Sequence, residues 1–179
     1  MSLETVGGYR MVCKNLEVAG VIDDAGTVML TEVGMTLSGC EAEGFKCRSE
    51  GKSEGVVETS AVSGVLGVIL KGETALKNKL GIELTNSTTA GGPFLSAMCG
   101  GVPVETRGYV IFPVTANKML IKATYKATAT KGKQKPERFE GGPKAVLETS
   151  ISGGGYTQSD LVMTAAQTNE EAIEFNSVF

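Results

Sequence analysis

The chain contains no histidine and no tryptophan. Without histidine the commonest general base near neutral pH and the commonest metal ligand disappear together, which excludes a Ser-His-Asp triad. Without tryptophan, sugar stacking falls to the four tyrosines and six phenylalanines. No apolar run approaches the length of a membrane-spanning helix, so no transmembrane segment is expected. Charge of one sign is not concentrated either. The 17 basic and 20 acidic residues leave a formal charge of -3, with no long polybasic arm or acidic tail, and nucleic acid is not expected as a partner. The first eight residues lack the basic region and apolar stretch of a signal peptide, so the chain reads as an exported protein whose signal peptide is absent.

A length of 179 residues suits one domain, 1-179, with enough chain to bury a substantial core. The four cysteines are Cys13, Cys40, Cys47 and Cys99, and they allow three pairings. Cys40 and Cys47 bracket a short polar segment in which Gly44 lets the chain reverse, making them the obvious local pair. Cys13 with Cys99 would then join distant strands. A four-thiolate zinc site lacks the short CxxC knuckles. Paired cysteines place the chain in an oxidising compartment.

Alternation dominates the chain, whereas helical periodicity is scarce. Over residues 119-130, Met119, Ile121, Ala123, Tyr125, Ala127 and Ala129 share one face; lysines and threonines take the other. This is a long strand with one covered and one wet face. Residues 102-114 fit an antiparallel partner, with 115-118 as the turn. Other strands are expected at 9-18, 27-38, 65-70, 81-84, 145-151, 156-165 and 172-175. A parity shift near Thr31 and Glu32 predicts a β-bulge. Short helical pieces are expected at 74-80 and 169-174. Glycine pairs and triplets at 91-92, 141-142 and 153-155 read as turns, not phosphate loops. The fold class is therefore all-β: an antiparallel β-sandwich or partly open β-barrel, Greek-key-like, with at most short helices. A polar loop at 131-143 is expected to project from one end.

The site candidates are few. Lys131, Lys133, Lys135 and Arg138 form the strongest positive patch, which Lys122 and Lys126 on the wet strand face extend toward an anionic surface or acidic glycan. Phe139 beside them is either a contact or an anchor. Tyr156, following the triple glycine, is the exposed aromatic candidate. Glutamates at 41, 43, 50, 54 and 58, and at 170, 171 and 174, read as solvated charge, and no EF-hand pattern supports calcium. Asn86-Ser-Thr88 is a formal glycosylation sequon. No metal, cofactor or catalytic residue is assigned.

The segments Leu37-Ser-Gly-Cys-Glu-Ala-Glu-Gly-Phe-Lys-Cys47, Phe139-Glu-Gly-Gly142, Leu147-Glu-Thr-Ser150 and Asn169-Glu-Glu-Ala-Ile-Glu-Phe-Asn176 together resemble a group of secreted β-rich proteins of unknown function from high-GC Gram-positive bacteria. The resemblance implies export, a Cys40-Cys47 pair and a second bridge. It carries no catalytic residue. The expectation is a monomeric, non-enzymatic structural or adhesion-type domain, secreted or on the cell surface, with a cell-surface glycan or protein as partner. The alternatives are a glycan-binding module and a histidine-free extracellular hydrolase.

Overall fold

The computed structural model describes residues 1-22, 28-89 and 91-176, without the side chains of Val28, Met29 and Glu32. In chain order the strands are β1 (Ser2–Thr5), β2 (Arg10–Val12), β3 (Asn15–Ile22), β4 (Val28–Ser38), β5 (Glu41–Ala42), β6 (Phe45–Arg48), β7 (Val56–Glu58) and β8 (Val62–Leu70). They continue as β9 (Lys79–Asn86), β10 (Pro93–Cys99), β11 (Val102–Gly108), β12 (Val110–Val114), β13 (Leu120–Thr130), β14 (Lys133–Lys135), β15 (Leu147–Ile151) and β16 (Thr157–Ile173).

Eight of them close a ring in the order β1-β2-β5-β6-β10-β11-β15-β16, because β16 pairs back onto β1. Every ladder in the ring is antiparallel, so the all-β expectation stands. Leu3, Met11, Val104, Leu147 and Leu161 are buried within it. Three hydroxyls cross the same region as a relay: Thr106 Oγ1 lies 3.0 Å from Thr149 Oγ1, which donates to Ser159 Oγ at 2.8 Å. Each satisfies its neighbour without water.

A second sheet, β12-β9-β8-β4-β3, carries β7 alongside β4. Its Leu37, Val62, Leu84 and Phe112 belong to one contiguous core with Leu3 and Leu161 of the ring. The chain passes between the sheets at Gly108. Its φ is 106°, and a Cβ there would collide with the Val146 carbonyl oxygen, so only glycine fits. That switch overturns the expected hairpin between 102-114 and 119-130. β11 stays in the ring and pairs with β15, β12 pairs with β9, and β13 instead pairs with β16. Pro113 lies on β12, at an edge of its sheet, where a missing amide donor is harmless.

The expected bulge is present: β4 advances from Leu30 to Val33 while β8 moves only from Gly64 to Val62. The helical expectations fare differently. Residues 74-80 contain a single 3₁₀ turn, Ala75–Lys77. Residues 169-173 are strand, where the β16 register shifts between Thr168 and Ile173 and Asn169 Nδ2 donates to the Leu120 carbonyl at 3.3 Å. Pairing with β13 outweighs the local helical preference. Met119 and Ile121, expected on the covered face, are 62% and 53% exposed, because the register shifts between Leu120 and Lys122 and the half-buried Leu120 takes the covered side with Ala123 and Tyr125. Ala123, Tyr125 and Ala127 further along are covered as expected.

The cystines are Cys13–Cys40 and Cys47–Cys99, which corrects the Cys40-Cys47 and Cys13-Cys99 pairing. The register explains it. Cys99 stands opposite Cys47, the Cys47 amide donates to the Cys40 carbonyl at 2.9 Å, and extending the β2-β5 register by one residue sets Cys13 opposite Cys40. Four cysteines therefore stand in one row across four neighbouring strands. The Cys40-Cys47 step is hydrogen-bonded and hence wide, whereas the two outer steps are the narrow kind in which side chains approach more closely. Joining Cys40 to Cys47 would also leave Cys13 and Cys99 three strand spacings apart, roughly 14 Å, beyond disulfide reach.

Candidate functional site

The basic segment is the end of a hairpin. Thr130 and Lys133 face each other across Lys131 and Gly132, whose φ values of 52° and 75° make the two-residue turn that suits strand twist. A Cβ on Gly132 would overlap Thr5 at the end of β1 and Val6 just after it. The Gly132 amide also faces the buried Asp160 carboxylate, where it partly offsets the effect of burial on that group's pKa. Beyond the turn, Gln134 is buried and donates to the Tyr109 and Ala145 carbonyls at 2.9 and 2.5 Å. Phe139 packs on Gly67 of β8, and the Glu140 amide donates to Val68 at 2.7 Å. The 131-143 segment is therefore fastened along its length instead of projecting, and Phe139 is an anchor.

Ladder registers place the lysines. Lys135 stands opposite Thr128, and Lys133 opposite Thr130. Lys126 stands opposite Thr164, and Lys122 opposite Thr168. All eight of these residues are exposed. Lys131 is exposed at the turn, while Arg138 lies past β14, bridging to Lys144 through its backbone. Among the described residues, no ion pair within 4.0 Å involves Lys122, Lys126, Lys131, Lys133 or Lys135. The ion-paired cations are Arg48, Lys52, Lys77, Arg107 and Lys144. Glu137, which feels the charges of Lys133 and Arg138, is held by Lys144 at 2.7 Å. That hydrogen bond and charge, with smaller help from Arg138 and Lys133, lower its pKa.

Tyr156 lies elsewhere, eight positions before Thr164 on β16's line and so about 27 Å along an extended strand. It is half-buried. The Arg107 guanidinium covers one ring face at 3.6 Å from the centroid, and the hydroxyl donates to Glu105 Oε1. That hydrogen bond to Glu105, then burial, raises the tyrosine pKa. Arg107 in turn donates through Nε and Nη2 to Glu148 at 3.3 and 3.2 Å. One stacking face and the hydroxyl of Tyr156 are thus already engaged.

Several other residues are committed to structure. Asn86 is buried, donating to the Pro93 carbonyl at 2.6 Å while its Oδ1 accepts from the Thr88 and Thr89 amides, so the sequon side chain is built into the fold. Glu54 and Glu58 pair with Arg48 and Lys52. Asp23 and Asp24 lie outside the described residues. Ser49 and Lys52 have the spacing of a serine-lysine hydrolase. Ser49 Oγ nevertheless donates to the Ser96 carbonyl at 2.7 Å and accepts from the Glu58 amide at 3.0 Å, while Lys52 is 2.8 Å from Glu58. Among the described residues no three acidic or cysteine side chains gather as a metal site, and no helix is long and apolar enough to cross a membrane.

Sequence reasoning missed Thr164 and Thr168, which complete the lysine face, and the Glu105-Arg107-Glu148 surround of Tyr156. Both depend on which strands become neighbours, and no local pattern encodes that. No protein-family model, curated protein or solved structure matches this chain.

Proposed function

We propose that this chain is a non-enzymatic, extracellular structural or adhesion-type β domain acting as a monomer. The row of four buried cysteines carries the reading. Two cystines stitch four adjacent strands of a closed ring, an arrangement that persists in oxidising compartments and is rare where thiols are kept reduced. The packing supports it as well. A void between the ring and the second sheet, lined by Leu3, Leu37, Phe94 and Leu161, measures about 10 Å³, room for one water at most. Function then falls to the outer surface. The unpaired lysines of β13 and β14 favour, as a second reading, a glycan-binding module.

Fractionation of the native cells, combined with thiol labelling before any reduction, tests the location. The chain is expected outside the cytoplasmic membrane with no labelled cysteine. Recovery from the cytosol with four labelled cysteines would sink the proposal.

A further inference from the structure

The exposed face of β13, β14 and the distal half of β16 differs from the rest of the surface in composition. Its cations are Lys122, Lys126, Lys133 and Lys135. Across the ladders they are interleaved with Thr124, Thr128, Thr130, Thr164 and Thr168. Ala166, opposite Thr124, is the remaining member. No carboxylate stands among the paired ladder positions from Lys122 to Thr130, although the protein as a whole is acidic. Glu170 and Glu171, exposed in the irregular stretch of β16 past Thr168, flank the track at its Lys122 end.

We infer that this face is a docking surface for an acidic polysaccharide, lying along β13 with its carboxylate or sulfate groups on the lysines. The inference rests on the adhesion-type reading and names its partner. Projected onto β13, the cations fall at positions 122, 126, 128 and 130, since Lys135 and Lys133 stand beside the last two. At the rise of an extended strand this is a charged track of roughly 27 Å. A linear polymer bearing anions at intervals satisfies several positions at once. The threonine hydroxyls both donate and accept, which matches sugar hydroxyls between the charges.

Other polyanions fit less well. A lipid surface calls for apolar or aromatic side chains that enter the headgroup boundary; the exposed Met119 and Ile121 lie at the Lys122 end, and the ladder positions along the track hold only lysine, threonine and alanine. Single-stranded nucleic acid is held by aromatic stacking platforms, which are missing from the same positions. Duplex DNA is read by an element that enters a groove, whereas this is a broad sheet face. Rigidity favours the polysaccharide further. Gly132 against β1, the two Gln134 hydrogen bonds and Phe139 against Gly67 hold the hairpin in place, so little side-chain scaffolding has to be ordered on binding.

The oxidised protein is titrated by calorimetry with polygalacturonate, dextran sulfate and uncharged dextran, in 50 and 300 mM salt. Parallel arms use vesicles of phosphatidylserine with phosphatidylcholine, and single- and double-stranded DNA. Saturable binding is expected to one or both acidic polysaccharides and not to dextran, weakening at least tenfold at the higher salt. Replacing Lys122, Lys126, Lys133 and Lys135 together by glutamine should weaken it more than tenfold. Arg48→Gln with Lys52→Gln, which removes two paired cations elsewhere, should leave it within twofold. The variants' unchanged circular dichroism and melting temperature confirm folding, and Lys126→Glu alone, expected to lose about threefold or more, serves if the quadruple variant does not fold. Equal loss in both variants, tighter binding to vesicles or DNA, or no binding to either acidic polysaccharide would overturn the inference. These results are independent of fractionation and thiol labelling, which judge the extracellular reading separately.

Discussion

The two halves of β16 share one strand and live in different surroundings. Thr157 to Val162 run inside the closed ring with β1 on one side and β15 on the other, and Ser159, Asp160 and Leu161 are buried in succession. From Met163 to Ile173 the partner is β13, and exposed and covered residues alternate from Met163 to Glu170. Period-two alternation therefore describes a strand only where one face meets water. From Ser159 to Leu161 both faces are covered, the outer one by the Gly132 turn over Asp160. There the pattern is set by what lies outside the ring as much as by the ring itself.

The contrast predicts a large asymmetry in mutational cost. Leu161→Ala should lower stability by about 2–5 kcal/mol, as expected for a truncated and fully buried leucine, while Thr164→Ala three residues on should stay within about 0.5 kcal/mol. Urea unfolding of both variants measures this. Similar midpoints would show that the halves are not distinct.

Removing Cys47–Cys99 by a double alanine substitution should cost about 2–4 kcal/mol, because the bridge closes a long loop in the unfolded chain. Peptide mapping of the parent without reduction should recover the Cys13–Cys40 and Cys47–Cys99 links. A Cys40-Cys47 peptide instead would refute the four-strand row.

The smallest effect is in pH dependence. Asp160 is 1% exposed, and burial is the main cause of its raised pKa, aided by Glu4 and opposed by the Gly132 and Glu4 amides and Arg10. As pH rises past the ordinary aspartate value of about 3.9, the unfolded chain gives up this proton before the folded one does. The folded state then binds more protons, so this group's contribution to stability falls until the pH exceeds the raised folded value. Asp160→Asn removes that fall. Its stability relative to the parent should improve between pH 3 and pH 7, followed by thermal unfolding across that range. A flat difference would mean that Asp160 titrates as if exposed.

Legibility in the sequence follows the same division. Residues 119-130 were readable because Ala123, Tyr125 and Ala127 are covered while Lys122, Thr124 and Lys126 are wet. The bulge near Thr31 was readable because a parity shift is itself local. The 169-174 segment was misread because its acidic, alanine-containing run suits a helix until β13 supplies a ladder. Of the site candidates, the lysines were visible as a cluster, but their arrangement as a track was not. Tyr156 was visible as an aromatic after glycines, while the Arg107 that covers it comes from a strand 49 positions earlier.

By itself the sequence determined an all-β chain, the wet and covered faces of its long strand, the glycine turns and the existence of a basic cluster. These depend on properties that act within a few residues: side-chain alternation, backbone freedom and local charge. Only the tertiary structure decided which strands are neighbours. That choice closed the ring through β1 and β16, sent the chain into the second sheet at Gly108, paired Cys13 with Cys40 and Cys47 with Cys99, and laid Thr164 and Thr168 beside the lysines. The physical reason is that ladder partners are selected by burying a shared core across long sequence separations, a competition that no single segment can express.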